Sequence, residues 1–169
     1  MLPSPKTSFA EAIQHKLIAP EELEAFVNSL REQGFSVATL NGSFDLIHAG
    51  HLEIIHQASH QADCLIVALN SDASIQAYKG SQRPIVPLKY RLQLIAALEN
   101  VDWVTWFEET DPRTFLEKVR PNVHVNGAEY GENCIEAQLI RSQGGRLHLV
   151  ERIEGLATSE IIHKIRALP

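Results

Sequence analysis

At 169 residues the chain has the length of one ordinary domain, and its 44% hydrophobic content suffices to fill a single core. A formal charge of −6 and a pI near 5.7 argue against a broad nucleic-acid surface, so a phosphate site must be local, concentrating a few of the 15 Lys and Arg residues with backbone amides and a divalent cation, Mg²⁺. No apolar run approaches the roughly 18 residues of a membrane span, the polar, proline-broken start MLPSPKTSF does not read as a signal peptide, and Cys64 and Cys134 fall short of a disulfide framework; a cytoplasmic protein with reduced, buried thiols is expected.

In chain order, residues 1–19 are expected to be loosely attached ahead of one domain over residues 20–169. Apolar residues at helical spacing over Glu21–Gln33 lead into a strand at Phe35–Leu40, a helix at Ala49–Gln61 and a strand at Cys64–Leu69. A stretch punctuated by Gly80, Pro84 and Pro87 has no convincing periodicity, and Lys79 is placed on a mobile loop there. A helix at Leu88–Glu99, a strand at Trp103–Phe107, a helix at Pro112–Val119, a strand at Val123–Asn126, a helix at Cys134–Ser142, a strand at Arg146–Val150 and a last helix from about Ser159 to Ala167 follow. This alternation predicts an α/β fold: a Rossmann-like, doubly wound, mainly parallel five-stranded sheet with helices on both faces, binding ligands beyond the carboxyl ends of its strands.

The chemistry begins at Thr39-Leu40-Asn41-Gly42-Ser43-Phe44-Asp45-Leu46-Ile47-His48-Ala49-Gly50-His51, running from the first strand into a helix. Gly42 can let backbone approach a ligand closely, and His48 and His51 at a helix start can face one anion. A lone H-x-x-H pair is more often incidental or part of a zinc site, but Cys64 and Cys134 stand apart with no C-x-x-C partner. Neither G-x-x-x-x-G-K-[ST] nor G-x-G-x-x-G is present, so a different phosphate-binding design is needed. The other histidines, His15, His56, His60, His124, His148 and His163, read as solvent-facing or structural.

The string N-G-x-F-D-x-x-H-x-G-H resembles the signature of the cytidylyltransferase-like nucleotidyltransferases, whose H-x-G-H pair faces the α-phosphate. Asn70-Ser71-Asp72, Lys79-Gly80 with Arg83-Pro84, Arg91, Val101-Asp102-Trp103-Val104 and Phe107-Glu108-Glu109 extend it, and within that superfamily the chain is most similar to the adenylyltransferase domains of ADP-heptose synthases over roughly Glu21 to Leu168. The resemblance implies transfer of AMP from ATP to a sugar 1-phosphate such as heptose 1-phosphate, in lipopolysaccharide precursor synthesis. Many relatives fuse this domain to a sugar kinase, which these residues lack, so a separate kinase is expected; a homodimer is compatible with the family.

His48, His51 and Lys79 are the expected catalytic residues. The resemblance implies nucleotide contacts from Asn41, Gly42, Ser43, Phe44, His48, His51, Asn126, Gly127, Glu129, Thr158 and Ser159, and acceptor contacts from Asp45, Asn70, Asp72, Arg83 and Arg91. Lys79 is otherwise an ordinary solvated lysine, and Arg91 a surface ion pair. In Gly155-Leu156-Ala157-Thr158-Ser159-Glu160-Ile161-Ile162, Thr158 or Ser159 can cap the last helix while its amides hold the β- and γ-phosphates. Departures from the heptose pattern are Asn126 for a lysine, Glu129 for an aspartate, Ser43 for a cysteine and Ala157 for a hydroxyl residue. Two further readings are a cytidylyltransferase acting on an alcohol phosphate such as glycerol 3-phosphate and a non-catalytic nucleotide-binding module. No general base is required, because a phosphomonoester is already mostly a dianion at neutral pH, and no protein metal site is expected.

Overall fold

The computed structural model describes residues 8–151, 153 and 157–169. After a short helix α1 (Phe9–Ile13) and a 3₁₀ turn (Gln14–Lys16), helix α2 (Leu23–Glu32) leads into strand β1 (Val37–Gly42). Then come α3 (Ala49–Ser59), β2 (Cys64–Asn70), α4 (Asp72–Lys79), α5 (Leu88–Ala96), β3 (Trp103–Phe107), α6 (Arg113–Val119), β4 (Val123–Gly127), a 3₁₀ turn (Ala128–Tyr130), α7 (Ala137–Ser142), β5 (Arg146–Val150) and α8 (Thr158–Arg166). The sheet is parallel throughout, in the order β3-β2-β1-β4-β5.

This is the expected Rossmann-like architecture, and its physical basis is visible in β2: Cys64–Asn70 is buried at every position, as a strand covered on both faces must be. On one face Leu40, Leu65, Val67 and Val104 pack with Ile55 of α3 and Ile95 of α5. On the other, Val37, Ile66 and Ala68 pack with Val27 of α2, Leu116 of α6 and Ile140 of α7. The order reverses between β1 and β4, where Leu40 is in register with Val125. Connections leaving these neighbours run in opposite directions and open a crevice between Gly42 and Gly127.

Three local expectations change. The strand set at Phe35–Leu40 is Val37–Gly42, which makes Asn41 and Gly42 part of the sheet. The segment carrying Lys79 is a helix: the Ser71 hydroxyl accepts the Ser74 N–H at 3.1 Å, and Ile75 supplies the apolar anchor. Lys79 is therefore the last residue of α4, in which Ile75 is the one buried apolar side chain, too little to give a readable period. The stretch from Ser8 to Ala19, expected to be loose, is tied down: Ile13 and Ile18 are buried, and Lys16 Nζ donates to the carbonyls of Leu98 at 3.1 Å and Val101 at 2.7 Å.

Candidate active site

At the switch point a cavity of about 440 Å³ is lined by His48, Gly50, His51, Ile54, Lys79, Arg83, Gly127, Glu129, Tyr130, Val150, Glu151, Ile153, Ala157, Thr158 and Ser159. Five segments meet there: the start of α3, the end of α4 with its following loop, the end of β4, the end of β5, and the start of α8. Thr158 Oγ1 donates to the Leu46 carbonyl at 3.4 Å, linking α8 to the turn after β1.

His48, with extended backbone, occupies the N-cap position of α3, so the helix begins between the two imidazoles' attachment points. Their rings lie 3.9 Å apart between centroids. The His48 backbone N–H donates to His51 Nδ1 at 3.4 Å, an acceptor role that places the ring proton of neutral His51 on Nε2. Burial, reinforced by the charges of His48 and Lys79, lowers the His51 pKa to about 4. At neutral pH His51 is thus a neutral donor, suited to an oxygen on which charge grows.

Lys79 Nζ donates to Ser43 Oγ at 3.0 Å, and Ser43 Oγ also bonds Tyr78 Oη at 2.8 Å. Burial first, and the neighbouring Arg83 charge next, hold the Lys79 ammonium below the usual lysine range. An arriving phosphate would relieve both penalties.

Glu129 folds its carboxylate back over Gly127, where any Cβ would collide with it; the glycine at the end of β4 is required for that fold-back. At Gly42 the space freed is filled by protein: a Cβ would sit 3.2 Å from the Phe44 ring. Phe44, at φ 45°, turns that ring into the core, where it is 3% exposed and packs on His51 with centroids 5.3 Å apart. Phe44 is therefore a support for His51 and not the nucleotide contact expected of it.

The acceptor group is likewise mostly internal. Arg91 is 0% exposed. Its guanidinium donates to the carbonyls of Val86 at 2.9 Å, Ser43 at 2.6 Å and Asn70 at 2.9 Å, and pairs with Asp72 at 2.7 Å. No face is left for a ligand phosphate, which corrects both its acceptor role and its surface ion-pair reading. Asp72 also accepts the Leu88 N–H at 2.9 Å, and buried Asn70 donates to Ser74 Oγ at 3.0 Å. Buried Asp45 accepts Arg83 Nε at 2.7 Å and the N–H groups of Ile85 and Val86 at 2.9 and 2.8 Å. Burial alone would raise the Asp45 carboxyl, but these donors together hold it below the usual carboxylate range. Asp45, Asn70 and Arg91 thus form an internal bracket that the partly exposed Asp72 closes at the surface, while Arg83 reaches the cavity.

Asn41, Gly42 and Ser43 lie at the edge of the site without lining the cavity, as does Asn126, whose Oδ1 accepts the Gly127 N–H at 3.0 Å. The N-cap of α8 is Ala157, one residue before the expected Thr158 or Ser159, and the Glu160 carboxylate accepts the Ala157 N–H at 3.1 Å. Glu160 is not among the cavity-lining residues, so its charge is spent at the helix start and not on the proposed anion. Gly155 and Leu156 of that motif lie outside the described residues. Sequence reasoning did not assign Gly50, Ile54, Tyr130, Val150, Glu151 and Ile153; the signal for Val150 and Ile153 is only their place at and just beyond the end of β5.

Among the described residues no three His, Cys, Asp or Glu side chains gather in a metal-binding group, and no helix is long and apolar enough to cross a membrane.

The sequence profile of the cytidylyltransferase-like family matches residues 39–165. The bifunctional protein HldE of Hahella chejuensis is 39% identical over 147 residues, 86% of this chain and 31% of the relative. That of Nitrosococcus oceani is 40% identical over 156 residues, 92% and 33% of the two chains. The chain thus spans about a third of the length of these relatives. The crystal structure of a lipopolysaccharide core biosynthesis protein from Thermoplasma volcanium superposes with a TM-score of 0.56 at 27% identity, covering 71% of this chain and 98% of the other. Pantoate-beta-alanine ligase from Francisella tularensis shares the fold, with a TM-score of 0.62 at 15% identity over 90% of this chain and 79% of that one.

Proposed function

We propose, from the premise that the chain belongs to the cytidylyltransferase-like family of nucleotidyltransferases, that it transfers AMP from ATP to a sugar 1-phosphate, releasing pyrophosphate. The acceptor proposed is D-glycero-β-D-manno-heptose 1-phosphate, giving ADP-heptose for lipopolysaccharide precursor synthesis in the cytoplasm. The observation that carries the reaction type is the close-packed His48–His51 pair at the start of α3, sharing one cavity with Lys79, Thr158 and Ser159 at the switch point. The similarity to the HldE proteins supports the choice of acceptor.

The acceptor's phosphate oxygen attacks the α-phosphorus as the bond to the bridging oxygen of pyrophosphate breaks. Because that phosphate is already mostly a dianion, no side chain need remove a proton. His51, neutral, donates from Nε2 to an α-phosphate oxygen, with His48 beside it; Lys79, lining the same cavity, reaches toward the phosphates. The first amides of α8 lack acceptors within the helix and face the leaving pyrophosphate. Mg²⁺ would neutralise phosphate charge and be carried chiefly by triphosphate oxygens, in keeping with a site that has the carboxylates of Glu129 and Glu151 but no three-ligand cage among the described residues.

Pyrophosphate release with ATP or CTP, each paired with heptose 1-phosphate or glycerol 3-phosphate, tests this reading. The highest kcat/KM is expected for ATP with heptose 1-phosphate. A preference for CTP with glycerol 3-phosphate would replace the substrate pair and leave the reaction type standing, while no release with any pair would favour a binding module.

A further inference from the structure

A second cavity, of about 380 Å³, shares Lys79, Arg83 and Ser159 with the first and continues along α8 to His163 and Arg166. Ser159, His163 and Arg166 recur at intervals of four and three residues, which puts them on one face of the helix. Lys79 and Arg83 line it too, and among the described residues no Asp or Glu does. The nearest carboxylate on the Arg83 side, Asp45, is already bonded through Arg83 Nε and two backbone amides. The other end of that guanidinium, Nη2, is buried and makes no hydrogen bond. On a chain of net charge −6, the cations Lys79, Arg83 and Arg166 thus converge with His163 on one cavity, and among the described residues no acidic side chain lines it. Such a concentration of like charge is costly unless an anion completes it.

We infer that this annex is the seat of a substrate phosphate group beyond the α-phosphate, with Arg166 and His163 as its specificity-determining residues. The inference rests on the nucleotidyltransferase reading and extends it: the shared wall of Lys79, Arg83 and Ser159 lets one ligand run from the His48–His51 site into the annex. The phosphate belongs either to the end of the triphosphate or to the acceptor. Both present the same dianion, and a guanidinium is matched to its oxygens.

The test uses the whole chain with Arg166→Ala, His163→Ala and the double variant, fold checked by circular dichroism. Binding of AMP, inorganic pyrophosphate and ATP is measured by calorimetry, and KM for ATP and for the sugar phosphate is measured separately. Loss of a charge-assisted bond is expected to weaken one ligand by about 10- to 100-fold while kcat changes little. If the annex takes the triphosphate end, pyrophosphate and ATP weaken together and AMP does not; if it takes the acceptor, only the acceptor KM rises. Arg166→Lys should recover part of the loss in either case. Unchanged binding of every ligand and unchanged KM values in a folded double variant would overturn the inference. Pyrophosphate binding needs no turnover, so loss of that binding in the variants would uphold the annex even if the wild-type chain transferred nothing.

Discussion

Asp45 and His48 stand in the same short motif, yet they work in opposite surroundings. The His48–His51 wall faces an open cavity and leaves His51 Nε2 as a donor. A few residues earlier, buried Asp45 is bonded to Arg83, and the Ser43 carbonyl to Arg91, which also pairs with Asp72. The first region is built from groups whose charge or proton is kept in reserve, and the second from groups whose charge is already matched. A motif residue can therefore serve the chemistry by holding the loop that presents it. The bracket fixes the carbonyl of Ser43 and the loop residues Ile85 and Val86, and through them the spacing between α3 and the Lys79–Arg83 wall.

Breaking the bracket should have the larger effect. Arg91→Ala removes the arginine's hydrogen bonds to the carbonyls of Ser43, Asn70 and Val86 and leaves Asp72 without its ion-pair partner, in a site with no solvent access to the arginine. A loss of about 3 kcal/mol or more is expected, since each buried carbonyl left unpaired costs about 1–3 kcal/mol. Arg91→Lys should not restore it, since an ammonium cannot reproduce the guanidinium fork. Urea denaturation of the two variants checks this; a change below about 1 kcal/mol for the alanine variant would mean the bracket is not structural.

Breaking the cavity wall should leave the fold and remove the rate. Loss of one preorganised donor to a charge-developing oxygen costs on the order of 10²–10³ in kcat, and His51→Ala, with His48→Ala to a similar degree, is expected to fall in that range while nucleotide affinity changes far less. Steady-state kinetics with a parallel denaturation curve separates the two regions: Arg91→Ala moves the curve, and the histidine variants move kcat. Near-normal turnover in His51→Ala would remove the phosphate-facing role of that wall.

How much of this was legible follows from the same contrast. The unbroken apolar run of β2 and the alternation of strands with helices are set by nearest neighbours and period, so the sheet could be read directly. The pairing of His48 with His51 follows from helical spacing alone. Position in sequence could not tell that Phe44 turns inward, because that depends on a left-handed residue following Gly42 and on room only glycine leaves. Nor could it tell that Arg91 is consumed by carbonyls from distant segments, Ser43 and Asn70, which the fold brings to it. Helix α4 escaped because its apolar period is too short to detect. The annex residues His163 and Arg166 gave only the pattern of an exposed amphipathic helix, and their meaning appears when Lys79 and Arg83 line the same cavity.

The finest test compares two histidines that are neutral for the same reason in different regions. His51 in the cavity and His124, fully buried in β4 with Nδ1 2.9 Å from Thr39 Oγ1, both have their pKa lowered to about 4, burial being the largest cause in each. In the unfolded chain each returns to about 6.5. Between these values the unfolded chain binds protons that the folded chain refuses, so stability falls as pH drops from about 6.5 toward about 4, and the contribution is fully present above that window. For His124 the loss is at most about 3 kcal/mol. The regions part when ligand is present. A triphosphate beside His51 favours its charged form and should raise its pKa, so binding of a non-hydrolysable ATP analogue near pH 5 is expected to take up a fraction of a proton. His124 lies away from the cavity lining and should titrate unchanged. Following the two imidazole Cε1–H resonances by NMR across this range, with and without the analogue, reads both at once. A shift in His124 but not in His51 would place the anion away from the H-x-G-H wall.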